Sequence, residues 1–237
     1  MVSQDKTNNN NSFSFWKFLK KLLLFLFIGQ FVYLLFCKWI DPPITITQVV
    51  NAAEGNGLRR DYINYDEMGR NIKLAVMASE DQLFPDHDGF DIKAIKKAIK
   101  YNKKHPHKTR GASTISQQTA KNIFLWQHGG FFRKGLEVYF TFMIELLWSK
   151  ERILENYLNV AEMGKGIFGV QAAARAYFNK DAKNLTRKEA AMIAACLPNP
   201  KKFTVKPASR YVSLRSSRIM TQMNNLEGDP DVEALLK

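Results

Sequence analysis

Three clusters of polar residues in this chain have the types and the spacing to do chemistry. The first runs Glu80, Asp81, Phe84, His87, Gly89 and Asp91, with adjacent acids at the end of an apolar helical stretch and a turn marked by Pro85 and Gly89. Such carboxylates stand at the mouth of a cleft, where one can take a proton from a bound hydroxyl. A solvated helix end would show the same pair, and His87 by itself would suit a structural histidine. The second cluster, residues 111–122, sets Ser113, Thr114, Gln117, Gln118 and Asn122 beside Lys121. Hydroxyls and amides at this density need partners when buried, and they match sugar or phosphate oxygens. A polar helix start capped by Ser113 or Thr114 accounts for them as well. In the third, Arg133, Lys134 and Glu137 open a helix that is apolar from 138 to 148 apart from Thr141 and Glu145. Those charges form either a polar end at the surface or the wall of a site.

The elements that must position these groups are mostly helical. Ile72, Ala75, Val76 and Ser79 keep one helical stripe leading to Glu80. Ile92, Ile95 and Ile99 keep another, with Lys93, Lys96, Lys97 and Lys100 on the other faces, which makes a basic amphipathic helix. The stretch 101–110, with its lysines and histidines around Pro106, is expected to be a mobile positive loop. Helices are expected over 133–148, 150–160 behind an N-cap at Ser149, 167–178, and 190–197 behind a capping box that starts at Thr186. Phe124, Leu125, Trp126, Phe131 and Phe132 either dip into a lipid interface or fill the core. Strand-like alternation is scarce, so the body is read as mainly α.

Composition narrows the setting. Lys and Arg number 35 against 22 Asp and Glu, a formal charge of +13, which favours an anionic partner: nucleic acid, a membrane surface or a phosphorylated substrate. From Leu22 to Cys37 only Gly29, Gln30 and Tyr33 interrupt large apolar side chains, and the run 16–39 reads as one transmembrane helix. Lys17, Lys20 and Lys21 crowd its start, so residues 1–15 are expected as a cytoplasmic tail and the rest as facing outward. That orientation argues against nucleic acid as a partner. A cleavable signal is disfavoured because Trp39, Pro42 and Pro43 follow where small residues would be needed. Residues 40–62 are expected as a linker and 63–237 as one domain. Cys37 and Cys196 lie too far apart in type of surroundings to suggest a disulfide framework. No Lys-Thr-Gly partners the Ser-x-x-Lys patterns at Ser3 and Ser14, so a transpeptidase is not expected.

Taken together, these segments resemble the peptidoglycan glycosyltransferases of family 51, in particular the monofunctional biosynthetic transglycosylases. The likeness rests on the Glu-Asp-x-x-Phe-x-x-His-x-Gly block from Glu80, Gly-x-Ser-Thr-Ile-x-Gln-Gln from Gly111 with Lys121-Asn122, and Arg-Lys-x-x-Glu ending at Glu137. Two more blocks follow, from Lys150 to Asn159 and from Gly169 to Phe178. The resemblance implies a lysozyme-like, mainly helical domain behind one N-terminal transmembrane helix. It further implies a single-pass inner (plasma) membrane protein with its catalytic domain in the periplasm. Its substrates would be lipid II and the growing glycan strand, at the bilayer surface, with division or elongation machinery as protein partners. Transfer would be inverting. By position, Glu80 would be the general base, and Glu137 would hold the diphosphate through a divalent cation (Mg or Mn) or through neighbouring cations. Asp81, Phe84, His87, Ser113, Thr114, Gln117, Gln118, Lys121, Asn122, Arg133 and Lys134 would bind substrate. One departure is the stretch His128-Gly129-Gly130, where many relatives carry an arginine; diphosphate contacts would then fall to Lys121, Arg133 and Lys134. A cell-wall hydrolase would share a helical body and a catalytic Glu80 but would cut strands instead of extending them.

Overall fold

The computed structural model describes residues 15–127 and 129–237, so His128 and all of the expected tail except Phe15 lie outside the described residues. It divides into one unit ending at Ile40 and another from Asp41 to Lys237. The first unit holds helix α1, Phe15–Trp39, whose most apolar 18-residue window has a mean hydropathy of 2.0. At 1.5 Å per residue its 25 residues extend about 37 Å, more than the ~30 Å hydrocarbon core of a bilayer. Leu23, Phe25, Phe27 and Val32 lie exposed along it, which in water would be costly and in lipid is not.

The second unit begins with α2, Ile46–Ala53, inside the stretch expected to be a linker. Thr45 and Gln48 form a reciprocal capping box there, and the buried Gln48 side chain donates to the Tyr62 hydroxyl at 2.7 Å. The period was hard to read because the buried positions, Thr47, Gln48 and Asn51, are polar. Two helical groups follow. In one, α3 (Arg70–Glu80) buries Ile72 through Ala78 against α9 (Arg187–Cys196) and α10 (Arg210–Leu226). In the other, α5 (Ile115–Phe124) packs on α6 (Phe131–Leu147) and α7 (Lys150–Val160). Ser149 caps α7, and the Thr186 capping box starts α9.

Between the groups lies a small sheet in the order β1-β3-β2: Arg59–Arg60, Ile167–Phe168 and Glu162–Gly164. Gly166 turns the β2–β3 hairpin at φ +68°, and a Cβ there would stand 2.2 Å from the Asn56 carbonyl oxygen, so only glycine fits. The hairpin takes the first residues of the helix expected over 167–178, which instead starts at Val170 (α8, Val170–Phe178). Buried Asn159 holds the Ile63 peptide at both ends, accepting from its N–H at 3.2 Å and donating to its carbonyl at 3.0 Å. The chain closes with α11, Pro230–Leu235.

Helix α4, Ile92–Lys104, has no buried residue, and its Ile92 and Ile99 are exposed. It runs into the stretch expected as a mobile loop. There Asn102 bonds both backbone groups of Arg110, and the Arg110 guanidinium sits 3.9 Å from the Tyr101 ring centre, so the loop is tied back on the helix. Leu125 belongs to the core and the half-buried Phe124 stacks 4.7 Å from Phe140, whereas Trp126, Phe131 and Phe132 are exposed. Neither Cys37 nor Cys196 is in a disulfide.

Candidate active site

Glu80 is the last residue of α3 and sits where the two helical groups meet. Its Oε2 accepts from Gln118 Nε2 on α5 at 3.2 Å. Its Oε1 accepts from the Ser79 hydroxyl at 3.0 Å and lies 3.5 Å from Arg215 Nη2 on α10. Gln118 is itself oriented, because its Oε1 accepts from the Tyr157 hydroxyl at 3.3 Å. Burial pushes that phenol well above its usual range, and the nearby Glu80 charge adds to the effect, so Tyr157 stays a donor. The amide nitrogen of Gln118 is thereby aimed at the carboxylate.

The adjacent Asp81 points elsewhere. It is buried, accepts from the Ile115 N–H at 2.9 Å and from His87 Nε2 at 3.0 Å, and so ties the first polar block to the start of α5. His87 Nδ1 accepts from the Gly89 N–H at 3.2 Å, which assigns its proton to Nε2 in the neutral form. Burial alone would lower the His87 pKa, but the Asp81 hydrogen bond and charge outweigh it, and the net shift is upward. Gly89 has φ +85°, and a Cβ there would meet Thr141 at 2.8 Å. Phe84 is fully buried edge-on to His87, with the Lys150 ammonium 4.8 Å from its ring centre. Lys150 in turn pairs with Glu145 at 2.8 Å, and Glu145 accepts from the Ser116 hydroxyl. Thr114 and Gln117 form the capping box of α5, and the Thr114 hydroxyl donates to the Gly89 carbonyl at 2.7 Å. Asp81, Phe84, His87, Thr114 and Gln117, expected to bind substrate, are thus buried or half-buried around the end of α3 and the start of α5. Asp81, His87 and Thr114 are hydrogen-bonded inside the body, where they tie the end of α3, which carries Glu80, to the start of α5, which carries Gln118.

Glu137, nearly two turns into α6, is buried and accepts from Arg133 Nη1 at 2.7 Å and from the Lys134 ammonium. Lys121 makes no hydrogen bond or ion pair among the described residues, yet the charges of Glu137, Arg133, Lys134 and Glu80 all act on it. Burial lowers its pKa, and the attraction of Glu137 resists that shift. The charges of Glu80 and Glu137, 57 positions apart (137 − 80 = 57), thus both act on Lys121. Three positive side chains around one carboxylate leave a surplus that suits an anion such as diphosphate.

A cavity of about 600 Å³ opens from Gln118 and Lys121, within the usual range for ligand sites. Asn122, Tyr157 and Glu162 line it together with Asn51 of α2 and Lys201. The Glu162 carboxyl is raised by burial and accepts from the Gly166 N–H at 3.1 Å. Asn122 accepts from Gln127 at 3.1 Å, and Gln127 also reaches Thr47, so α2 forms a wall of the cavity. Ser113 lies exposed just before α5.

A divalent ion held by Glu137 does not fit this donor set. Both of its oxygens face cations, and no group of three His, Cys, Asp or Glu side chains among the described residues is arranged to hold a metal. The residue that sequence reasoning missed is Arg215. It lies 135 positions from Glu80 on a helix with no local signature, so only the tertiary contact reveals it.

The pattern of the Transglycosylase family matches residues 47–224. The chain belongs to that family. Its members' domain has a lysozyme-like fold, in keeping with the helical body described above. Among relatives, a protein of Aeromonas hydrophila named biosynthetic peptidoglycan transglycosylase is 47% identical over 88% of this chain and 90% of its own length. One of the same name from Pseudomonas entomophila is 48% identical over 89% of this chain and 91% of its own. A third, from Escherichia coli, is 53% identical over 72% of this chain and 70% of its own. The family match starts within α2, so the helix that walls the cavity belongs to the family's unit and not to a connecting segment.

Proposed function

We propose that this chain is an inverting peptidoglycan glycosyltransferase that extends glycan strands from lipid II in cell-wall synthesis. The relatives' names support the substrate, and one observation carries the chemistry: a glutamate oriented by Gln118, which lines the cavity with Lys121, whose ammonium feels the charges of Glu80, Arg133 and Lys134. The acceptor's sugar hydroxyl loses its proton to Glu80 as its oxygen bonds the anomeric carbon of the donor. The bond from that carbon to the diphosphate oxygen breaks on the opposite face. The polyprenyl diphosphate leaves as an anion and needs no proton, so cations suffice to stabilise it. Glu137 holds Arg133 and Lys134 in register for that task and is a positioning residue in this reading. Gln118, Asn122 and Ser113 remain on the sugar-facing side, where their amides and hydroxyl match sugar oxygens.

Helix α1 serves as the single membrane anchor, with the tail in the cytoplasm and the catalytic body on the periplasmic face of the inner membrane. The lysines near its start support that orientation. The unburied, lysine-rich α4 and the exposed Phe131 and Phe132 then favour contact with anionic lipid headgroups, where lipid II resides. The growing strand is passed to the division or elongation machinery.

The test is polymerisation of lipid II by the full chain in detergent micelles. Wild type yields polymer, and Glu80→Gln lowers the rate by roughly 10²–10⁴-fold with unchanged folding, the range of general-base catalysis. A Glu80→Gln enzyme with wild-type rate, or release of fragments from mature peptidoglycan in place of polymer, refutes the reading.

A further inference from the structure

Glu80 touches one wall residue of each of two cavities. Gln118, on its Oε2, lines the large one; Arg215, on its Oε1, lines a second of about 280 Å³ between the end of α3 and α10. That volume is at the lower end of small-ligand sites. Ser79, Tyr211, Arg218 and Gln222 complete its polar lining.

The cations of this second cavity are poorly matched by the protein itself. Arg215 donates to the Ser79 carbonyl at 3.3 Å and hydroxyl at 3.1 Å, and its distance to Glu80, 3.5 Å, is long beside the ~2.7–2.9 Å of a good charged bond. Its Nε is buried and has no partner among the described residues. A buried N–H with no partner is uncommon and costly, so it points to a missing acceptor. Arg218, one helical turn on and facing the same space, makes no hydrogen bond or ion pair with a described residue. The cavity therefore presents two guanidiniums, and only that of Arg215 reaches a carboxylate, at long range. A planar oxyanion fits two such forks, as carboxylates and phosphates do elsewhere.

We propose that this cavity is an anion site, which takes one phosphate or carboxylate group between Arg215 and Arg218. An anion there competes with Glu80 for Arg215, so occupancy of the site alters the electrostatic surroundings of the general base. That consequence rests on the proposed role of Glu80; the binding itself does not. Two parts of a lipid-linked sugar-peptide carry such groups, its diphosphate and its peptide carboxylates, and free phosphate is the third source.

The experiment follows the arginine Nε–H resonances of the full chain, labelled with ¹⁵N-arginine in detergent micelles, as inorganic phosphate or N-acetyl-D-alanine is added at constant ionic strength. Arg215 and Arg218 are expected to shift saturably with at least one of the two anions. The tighter one identifies a phosphate or a peptide carboxylate as the source. Arg218→Gln, an exposed substitution, is expected to raise the midpoint about tenfold, the loss of one charged hydrogen-bond partner. Glu80→Gln retains saturable binding even though its polymerisation is lowered by orders of magnitude, which separates this site from the catalytic reading. Shifts that are linear and common to all arginines, or a midpoint unchanged by Arg218→Gln, overturn the proposal.

Discussion

Replacing Asp81 with asparagine separates the two adjacent acids by role. The Asp81 carboxylate is 3% exposed and accepts at once from His87 Nε2 and the Ile115 N–H. Asparagine keeps one acceptor oxygen and puts an NH₂ where the other stood. If that oxygen stays with Ile115, the NH₂ faces the His87 Nε2–H, donor against donor. Shifting the imidazole proton to Nδ1 only moves the conflict, because the Gly89 N–H already points there. One buried donor is orphaned in either arrangement, at a cost of about 1–3 kcal/mol, and the charged character of the remaining bonds is lost as well. For a body of this size each kcal/mol lowers Tm by about 2–4 °C, so a drop of roughly 5–10 °C is expected. Thermal unfolding by circular dichroism, with lipid II polymerisation measured at a temperature where both proteins are folded, tests this. Activity is expected to stay within about tenfold of wild type, since the Asp81 oxygens are engaged inside the body. An Asp81→Asn protein with unchanged Tm and no activity would show that Asp81 acts on substrate, and the reasoning would fail.

Two further outcomes follow from the same contacts. His87 has its pKa raised in the fold, so its stabilising contribution is complete below its ordinary value of ~6.5 and is lost as pH rises through the higher folded value. Tm measured from about pH 5.5 to 8.5 should therefore decline in wild type across that window and decline less in Asp81→Asn. Lys121→Met removes a cation that burial disfavours and that has no partner among the described residues, so stability should hold or rise by up to about 1 kcal/mol. Polymerisation should fall by at least about 100-fold with it, and a lowered Tm would mean that Lys121 is a structural pair member instead.

Much of the site was legible because its residues occur in short blocks whose spacing is itself structural. Thr114 and Gln117, Thr186 and Glu189, and Ser149 ahead of α7 are capping arrangements closed within one helical turn. Helix α1 was equally legible, since length and hydropathy are properties of a contiguous run. Helix α2 was not, because Thr47, Gln48 and Asn51 are buried through hydrogen bonds that hydrophobic periodicity does not register. Residues 167–168 look helical in isolation and become a strand because β1, about a hundred positions earlier, offers its edge to them.

The amino-acid order by itself determined which side chains are available for acid–base work and anion binding, and where the local turns that carry them begin. It did not determine which of two neighbouring acids faces the cleft. Glu80 ends α3 toward Gln118 and Arg215, while Asp81 turns inward to His87 and Ile115. Partners 38 and 135 positions from Glu80 decide that. A carboxylate's role depends on the donors and water within a few ångströms of it, and among groups so distant in the chain only packing sets those neighbours.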